Sequence, residues 1–201
     1  METFILPMLI AIGAYTLKSR DQNRRIALLG SHLGKHRIEK LMESLTQGYL
    51  RALGEDDPDR RTQIWNLMTA AEMALCEQFS RFVVEFSRVD QADARVSKLA
   101  LSIPYGDKLF PSATFDLRKA LSIHAQGITN ASQNSLDLSP SNRAFTLSAE
   151  LFLMQHTCHW FCRSKSVASA RMLARHKTSY AQLLESVAPD TRQAYSRLIG
   201  S

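Results

Sequence analysis

The residues best equipped for chemistry lie in one short stretch, His156-Thr157-Cys158-His159-Trp160-Phe161-Cys162. Thiolate and imidazole are ligands that zinc takes, and a histidine beside a cysteine can also activate a thiolate nucleophile. Helical geometry limits what one stretch can do. With Cys158 as origin and about 100° per residue, Cys162 lies at about 40°, His159 at about 100° and His156 at about 160°. Side chains spread that widely do not converge on one ion. Two neighbours do, either His159 with Cys162 or Cys158 with Cys162. The remaining ligands must come from other helices, where His124 and Cys76 are the obvious donors. A zinc or thiol site at Cys158, His159, Cys162 and His124 is therefore the sharp reading. The plainer one is that small thiols fill space in a core and histidines hydrogen-bond there, which leaves the chain without a cofactor.

Other catalytic templates are missing. The sequence has no phosphate-binding glycine loop, no H-E-x-x-H, no G-x-S-x-G and no paired C-x-x-C of a zinc ribbon. His36-x-x-Glu39 reverses the order of the di-iron bundles and reads as a surface pair. The acidic run Glu55-Asp56-Asp57-Asp59 lacks the alternation and glycine of a calcium loop, and helix capping explains it more simply.

The elements that must position these residues are helices. Apolar residues recur at gaps of three and four from Gln22 to Leu53, with a bend expected around Gly30–Gly34. Asp57-Pro58 reads as N-cap and first helical residue of a helix running to about Arg88, with a stripe from Ile64 through Phe79, Phe82 and Phe86. A shorter helix is expected over Asp90–Ile103, then a loop that tucks Leu109 and Phe110 into the core. Helix returns from Ser112 to about Ile128. Ser139-Pro140 starts the helix that carries the Cys/His stretch to about Arg163. Its Glu150, Gln155, His156 and His159 make it a central core helix, not a membrane span. Another helix is expected over Val167–Val187 and a short one after Pro189. No stretch alternates with period two. The fold expected is all-α, a bundle of about six to seven helices, with no β-sheet.

The bundle is preceded by an N-terminal hydrophobic helix. Phe4–Leu17 holds fourteen residues without a charge, followed by Lys18, Arg20, Arg24 and Arg25. From Met1 the apolar helix is about 25 Å long at 1.5 Å per residue, short for a roughly 30 Å hydrocarbon core but workable. The reading is a membrane anchor over residues 1–17 and one all-α domain over 18–201. Phe4, Ile5, Leu9, Ile10, Ile12 and Tyr15 would touch lipid, and the four basic residues its headgroups. The positive-inside rule then gives an N-out helix in the inner or plasma membrane with a cytoplasmic C-terminal domain. The alternative is a first helix packed in a soluble cytoplasmic bundle.

Charge is uneven. The chain is +6 over 201 residues, with +5 in residues 18–40, +5 in 163–201 and −3 between them. Basic flanks fit anionic lipid or nucleic acid. No helix-turn-helix pattern and no RNA-binding aromatic motif accompanies them. Three cysteines, Cys76, Cys158 and Cys162, do not form a disulfide framework and fit reduced thiols. The leading expectation is a single-pass, membrane-anchored helical protein that binds a protein partner as adaptor or regulatory subunit. A helical bundle with a Cys/His metal or thiol site over 156–162 is the alternative, and a basic nucleic-acid-associated protein the second.

Overall fold

The structure is a computed structural model that describes residues 2–200, with side chains from Ile5 to Gly200. Among the described residues nine α-helices account for most of the chain. The first, α1 (Glu2–Leu33), is continuous through Gly30 and ends before Gly34. Then α2 (Ile38–Leu53) buries Ile38, Leu45, Tyr49 and Ala52, one face of an amphipathic helix. In α3 (Pro58–Phe86) the Asp57 carboxylate accepts from the amides of Asp59 at 2.9 Å and Arg60 at 3.0 Å, the expected cap. Phe79, Phe82 and Phe86 form a ladder of rings 5.7 and 5.8 Å apart along its buried face. At the contact of α2 with α3 a Cβ on Gly48 would run into the Met68 sulfur, so a larger residue there would displace that side chain.

The helix expected over Asp90–Ile103 is not there, and neither is the expected absence of a sheet. Arg95–Ser97 forms β1, antiparallel to β2 (Thr114–Asp116), with Val96 opposite Phe115. The cause is tertiary. Val96 and Ala94 alternate into the core, Trp160 Nε1 donates to the Ser97 carbonyl at 2.8 Å, and the Arg25 guanidinium donates to the Arg95 carbonyl at 2.8 Å. Between the strands lie the short α4 (Gly106–Leu109) and a 3₁₀ turn over Pro111–Ala113. Leu109 and Phe110, expected in the core, are exposed there.

Asp116 caps α5 (Leu117–Ser132), and Ser139 caps α6 (Pro140–Cys162). Helix α6 is the hub. It packs against α5, α1, α2, β1, α7 (Lys165–His176) and α8 (Tyr180–Ser186), and α9 (Pro189–Ile199) closes the far side against α5. The single helix expected over Val167–Val187 is two. Lys177 adopts a left-handed conformation at φ 54°, and Ser179 with Gln182 builds a capping box that restarts the helix. Helices α3 and α6 meet mainly through side chains, Phe86 against Phe161 with ring centroids 6.5 Å apart and Glu72 with Arg143 at 3.3 Å.

The membrane span is overturned. Among the described residues no helix is long and apolar enough to cross a membrane. The apolar run ends at Leu17, and the same helix continues through Lys18, Arg20, Asp21, Arg24 and Arg25, while Pro7, Gly13, Tyr15 and Thr16 dilute the run itself. The N-out orientation that rested on the span falls with it. Ile5, Leu9, Ile10, Ile12 and Tyr15 are exposed, but the Phe4 side chain lies outside the described residues. The basic residues assigned to headgroups divide. Lys18 is half-buried and Arg20 exposed. Arg24 pairs with Asp93 at 3.0 Å, and Arg25 is buried, with Asp107 at 2.6 Å and Asp21 at 3.4 Å. Arg25 therefore does not face lipid.

Candidate functional groove

Helix α6 is buried on most of its circumference, so its polar side chains are distributed among different neighbouring helices. Cys158 and Cys162 point toward α1 and α2. Together with Met154 one turn earlier they put three sulfurs on one face, and Cys158 Sγ lies 3.8 Å from Met154 Sδ. Opposite them stand Leu29 and Gly30 of α1 and Met42 of α2. These walls leave a groove of about 300 Å³ whose lining is mostly apolar. His159 reaches the same groove from its edge, and Glu39, Arg163 and Arg171 form its polar rim.

The structure brings together Cys158, His159 and Cys162 as neighbours of one space, but not the other proposed donors. His124 lies on α5 on another side of α6, fully buried, with Nε2 2.9 Å from Thr157 Oγ1. Cys76 on α3 turns to the Ile128 carbonyl at 3.9 Å. Among the described residues no group of three His, Cys, Asp or Glu side chains is placed to hold a metal ion. All three cysteines are free thiols. A bridge between Cys158 and Cys162 is unfavourable, because helical spacing holds their Cβ atoms about 5–6 Å apart and a disulfide wants roughly 3.5–4.5 Å.

Burial makes these thiols poor nucleophiles. It pushes Cys158 well above the ordinary thiol value, with Cys162 and Glu39 adding to the rise. Cys162 is pushed up to about 11, again by burial, against the lowering pull of Arg163, Arg25 and Arg171. His159 is lowered by burial and then by Arg171 and Arg175, so it is held neutral. A thiolate–imidazolium pair is not favoured here.

The opposite faces of α6 carry a second polar set that is sealed. Thr157 Oγ1 sits between His124 and Tyr195, 2.8 Å from the phenol oxygen, and also donates to the Leu153 carbonyl. His156 stacks on Tyr180 at 4.6 Å and meets Ser169 Oγ at 3.0 Å. Burial lowers His124 to about 3 and His156 to about 4, so both are neutral core residues. Glu150 sits against Gly127, where a Cβ would collide with its carboxyl, and accepts from the Ala188 amide at 3.0 Å at the start of α9. Burial raises it to about 7. These groups are buried, although His124 Nδ1, His156 Nδ1 and Glu150 Oε2 have no hydrogen-bond partner.

The sequence reading missed Met154, Met42 and Arg171. Met154 was detectable, since Met154, Cys158 and Cys162 stand four residues apart along one face. Met42 and Arg171 carried no such signal, because they reach the groove only through the packing of α2 and α7. Compared with known proteins, the chain matches no family model, no curated protein and no solved structure.

Proposed function

We propose that this chain is a helical-bundle protein that works by holding a thiol-seeking ligand in the groove between α1, α2 and α6. Cys158 and Cys162 are the contacting groups, and neither acts as a nucleophile. The observation that carries the reading is one groove of about 300 Å³ that two of the three free thiols and two thioethers line. Its volume is at the lower end of the range of small-ligand sites. Protonated, partly accessible thiols suit a ligand that displaces the proton on binding better than a reaction that needs a standing thiolate.

A ligand that binds only the folded protein raises its melting temperature. Reduced full-length protein is melted with zinc(II), with phenylarsine oxide and with copper(I), each beside the Cys158→Ala/Cys162→Ser double variant. A rise with at least one agent, absent in the double variant, is the expected result. No rise with any of the three overturns the reading.

A further inference from the structure

We infer that the groove is a binding site for copper(I), held by the Cys158 and Cys162 sulfurs with the Met154 thioether beside them. The inference rests on the groove reading above and narrows its ligand.

Donor type comes first. Thiolate and thioether are soft ligands, and the metals they select are copper(I), zinc and iron–sulfur clusters. Donor number then separates these. Structural zinc wants a closed tetrahedral set, and cysteine-held iron–sulfur clusters want four thiolates. No third His, Cys, Asp or Glu converges with the two thiols among the described residues. A soft d¹⁰ cation that needs fewer ligands than zinc fits the pair. Metal–sulfur bonds of roughly 2.3 Å allow two sulfurs up to about 4.6 Å apart to share one ion. Side chains one helical turn apart, with Cβ atoms about 5–6 Å apart, can lean to that separation. Met154, one turn before Cys158 and with its sulfur already 3.8 Å from the thiol, is the natural third donor. Met42 lines the facing wall from α2.

Charge supports the same ion. Binding releases both thiol protons to solvent, so Cu⁺ with two thiolates carries one net negative charge and no electron changes hands. Arg163 and Arg171 stand at the rim of the groove beside Glu39, while Arg25 lies outside it and is paired with Asp107 and Asp21. The two rim cations offset part of the cost that burial, which raises both thiols, puts on an anionic bis-thiolate complex. Leu29, Met42 and Met154 give the ion apolar walls on the side away from the charged rim.

The test is an anaerobic titration of reduced full-length protein with copper(I) against bicinchoninate, whose copper complex is read by its colour. One equivalent should move to the protein and stay through gel filtration. Cys162→Ser, at a half-buried position, should lower affinity by more than the roughly 10–100-fold that loss of an outer-shell group costs, and Met154→Leu by about tenfold. Cys76→Ser, whose thiol turns to the Ile128 carbonyl outside the groove, should leave it unchanged. Far-UV circular dichroism checks that each variant is folded, and Cys158→Ala replaces Cys162→Ser if the latter is not. Copper left wholly with bicinchoninate, or uptake that survives loss of either cysteine, overturns the inference. A melting-temperature rise with zinc or the arsenical but no copper uptake overturns copper and leaves the groove reading standing. No effect from any agent removes both.

Discussion

The two halves of α1 invert the usual distribution of residues. From Ile5 to Leu17 the helix is nearly all apolar, and its large side chains are exposed, between 46% for Leu17 and 72% for Tyr15. From Lys18 to Leu33 it is rich in charge, and there Asp21, Gln22, Arg25 and Leu29 are buried. What decides burial here is the presence of partners. Arg25 finds the Asp107 carboxylate, the Arg95 carbonyl and the face of Phe161, whose ring centroid is 5.2 Å away. Gln22 donates to Ser102 at 3.1 Å and accepts from Arg163. The apolar half extends past the last element that it could pack on. Since the docked half supplies Leu29 and Gly30 to the groove, the groove depends on buried polar contacts at one end of a helix whose other end is bare.

The largest effect should come from Arg25. Truncating one partner of a buried charge cluster leaves the others uncompensated, at a cost of about 3–5 kcal/mol. Arg25→Ala strands Asp21 and Asp107, both at least nine-tenths buried, beside a cavity of about 20 Å³ with room for one water. For a chain of this size the melting temperature should fall by about 6–20 °C. Adding Asp107→Asn should recover part of the loss, because it removes one stranded charge. A fall of only a degree or two would mean that the docked half is held by apolar contact alone, and the contrast between the halves would lose its cause.

How much of this was legible in the sequence depends on the range of the force involved. Caps and stripes act within a few residues, and Asp57-Pro58, Ser139-Pro140 and the Phe79–Phe86 ladder appear where the periodicity put them. Asp90–Ile103 has helical spacing at Val96, Leu99 and Ile103, yet it holds only turns and the three-residue strand Arg95–Ser97, whose carbonyls Arg25 and Trp160, far along the chain, take. The split at Lys177 was readable in Ser179-x-x-Gln182. At the groove, helical spacing alone sets His156 apart from the cysteines. The capture of His124 by Thr157 and the arrival of Met42 from α2 left no mark in the sequence, since both depend on how separate helices pack. An uncharged run looks alike whether it spans lipid, fills a core or stands free, so Phe4–Leu17 misled most.

A matched pair of leucines sharpens the contrast at an intermediate scale. Leu29 is 5% exposed and Leu9 57%. Buried Leu→Ala changes cost roughly 2–5 kcal/mol, and exposed ones usually stay within about 0.5 kcal/mol. Chemical denaturation should therefore separate Leu29→Ala clearly from wild type and leave Leu9→Ala on the wild-type curve. Leu29→Ala also enlarges the groove, so any ligand shift in melting temperature should shrink with it. Equal effects from both changes would mean that the outer half is packed in solution.

A small change in stability should follow the largest deletion. A chain that begins with Met followed by Ser19 loses the whole apolar half of α1 but keeps Asp21, Gln22, Arg25 and Leu29. None of the described large side chains from Ile5 to Leu17 is buried, and the one side-chain hydrogen bond found in that segment, Thr16 to the Gly13 carbonyl, is internal to it. Removing the segment takes no buried large side chain from the bundle. The new helix start also leaves Asp21 in the first turn, where a carboxylate interacts favourably with the helix dipole. The shortened protein should melt within about 2 °C of full length, a shift that corresponds to no more than about 1 kcal/mol at this size. It should bind far less of an apolar-surface dye such as ANS, because the exposed patch has gone. A drop of 5 °C or more, about 1–2 kcal/mol, would mean that residues 5–17 cover part of the bundle in solution. The inversion seen along α1 would then belong to this one arrangement of the chain and not to its folded state in water.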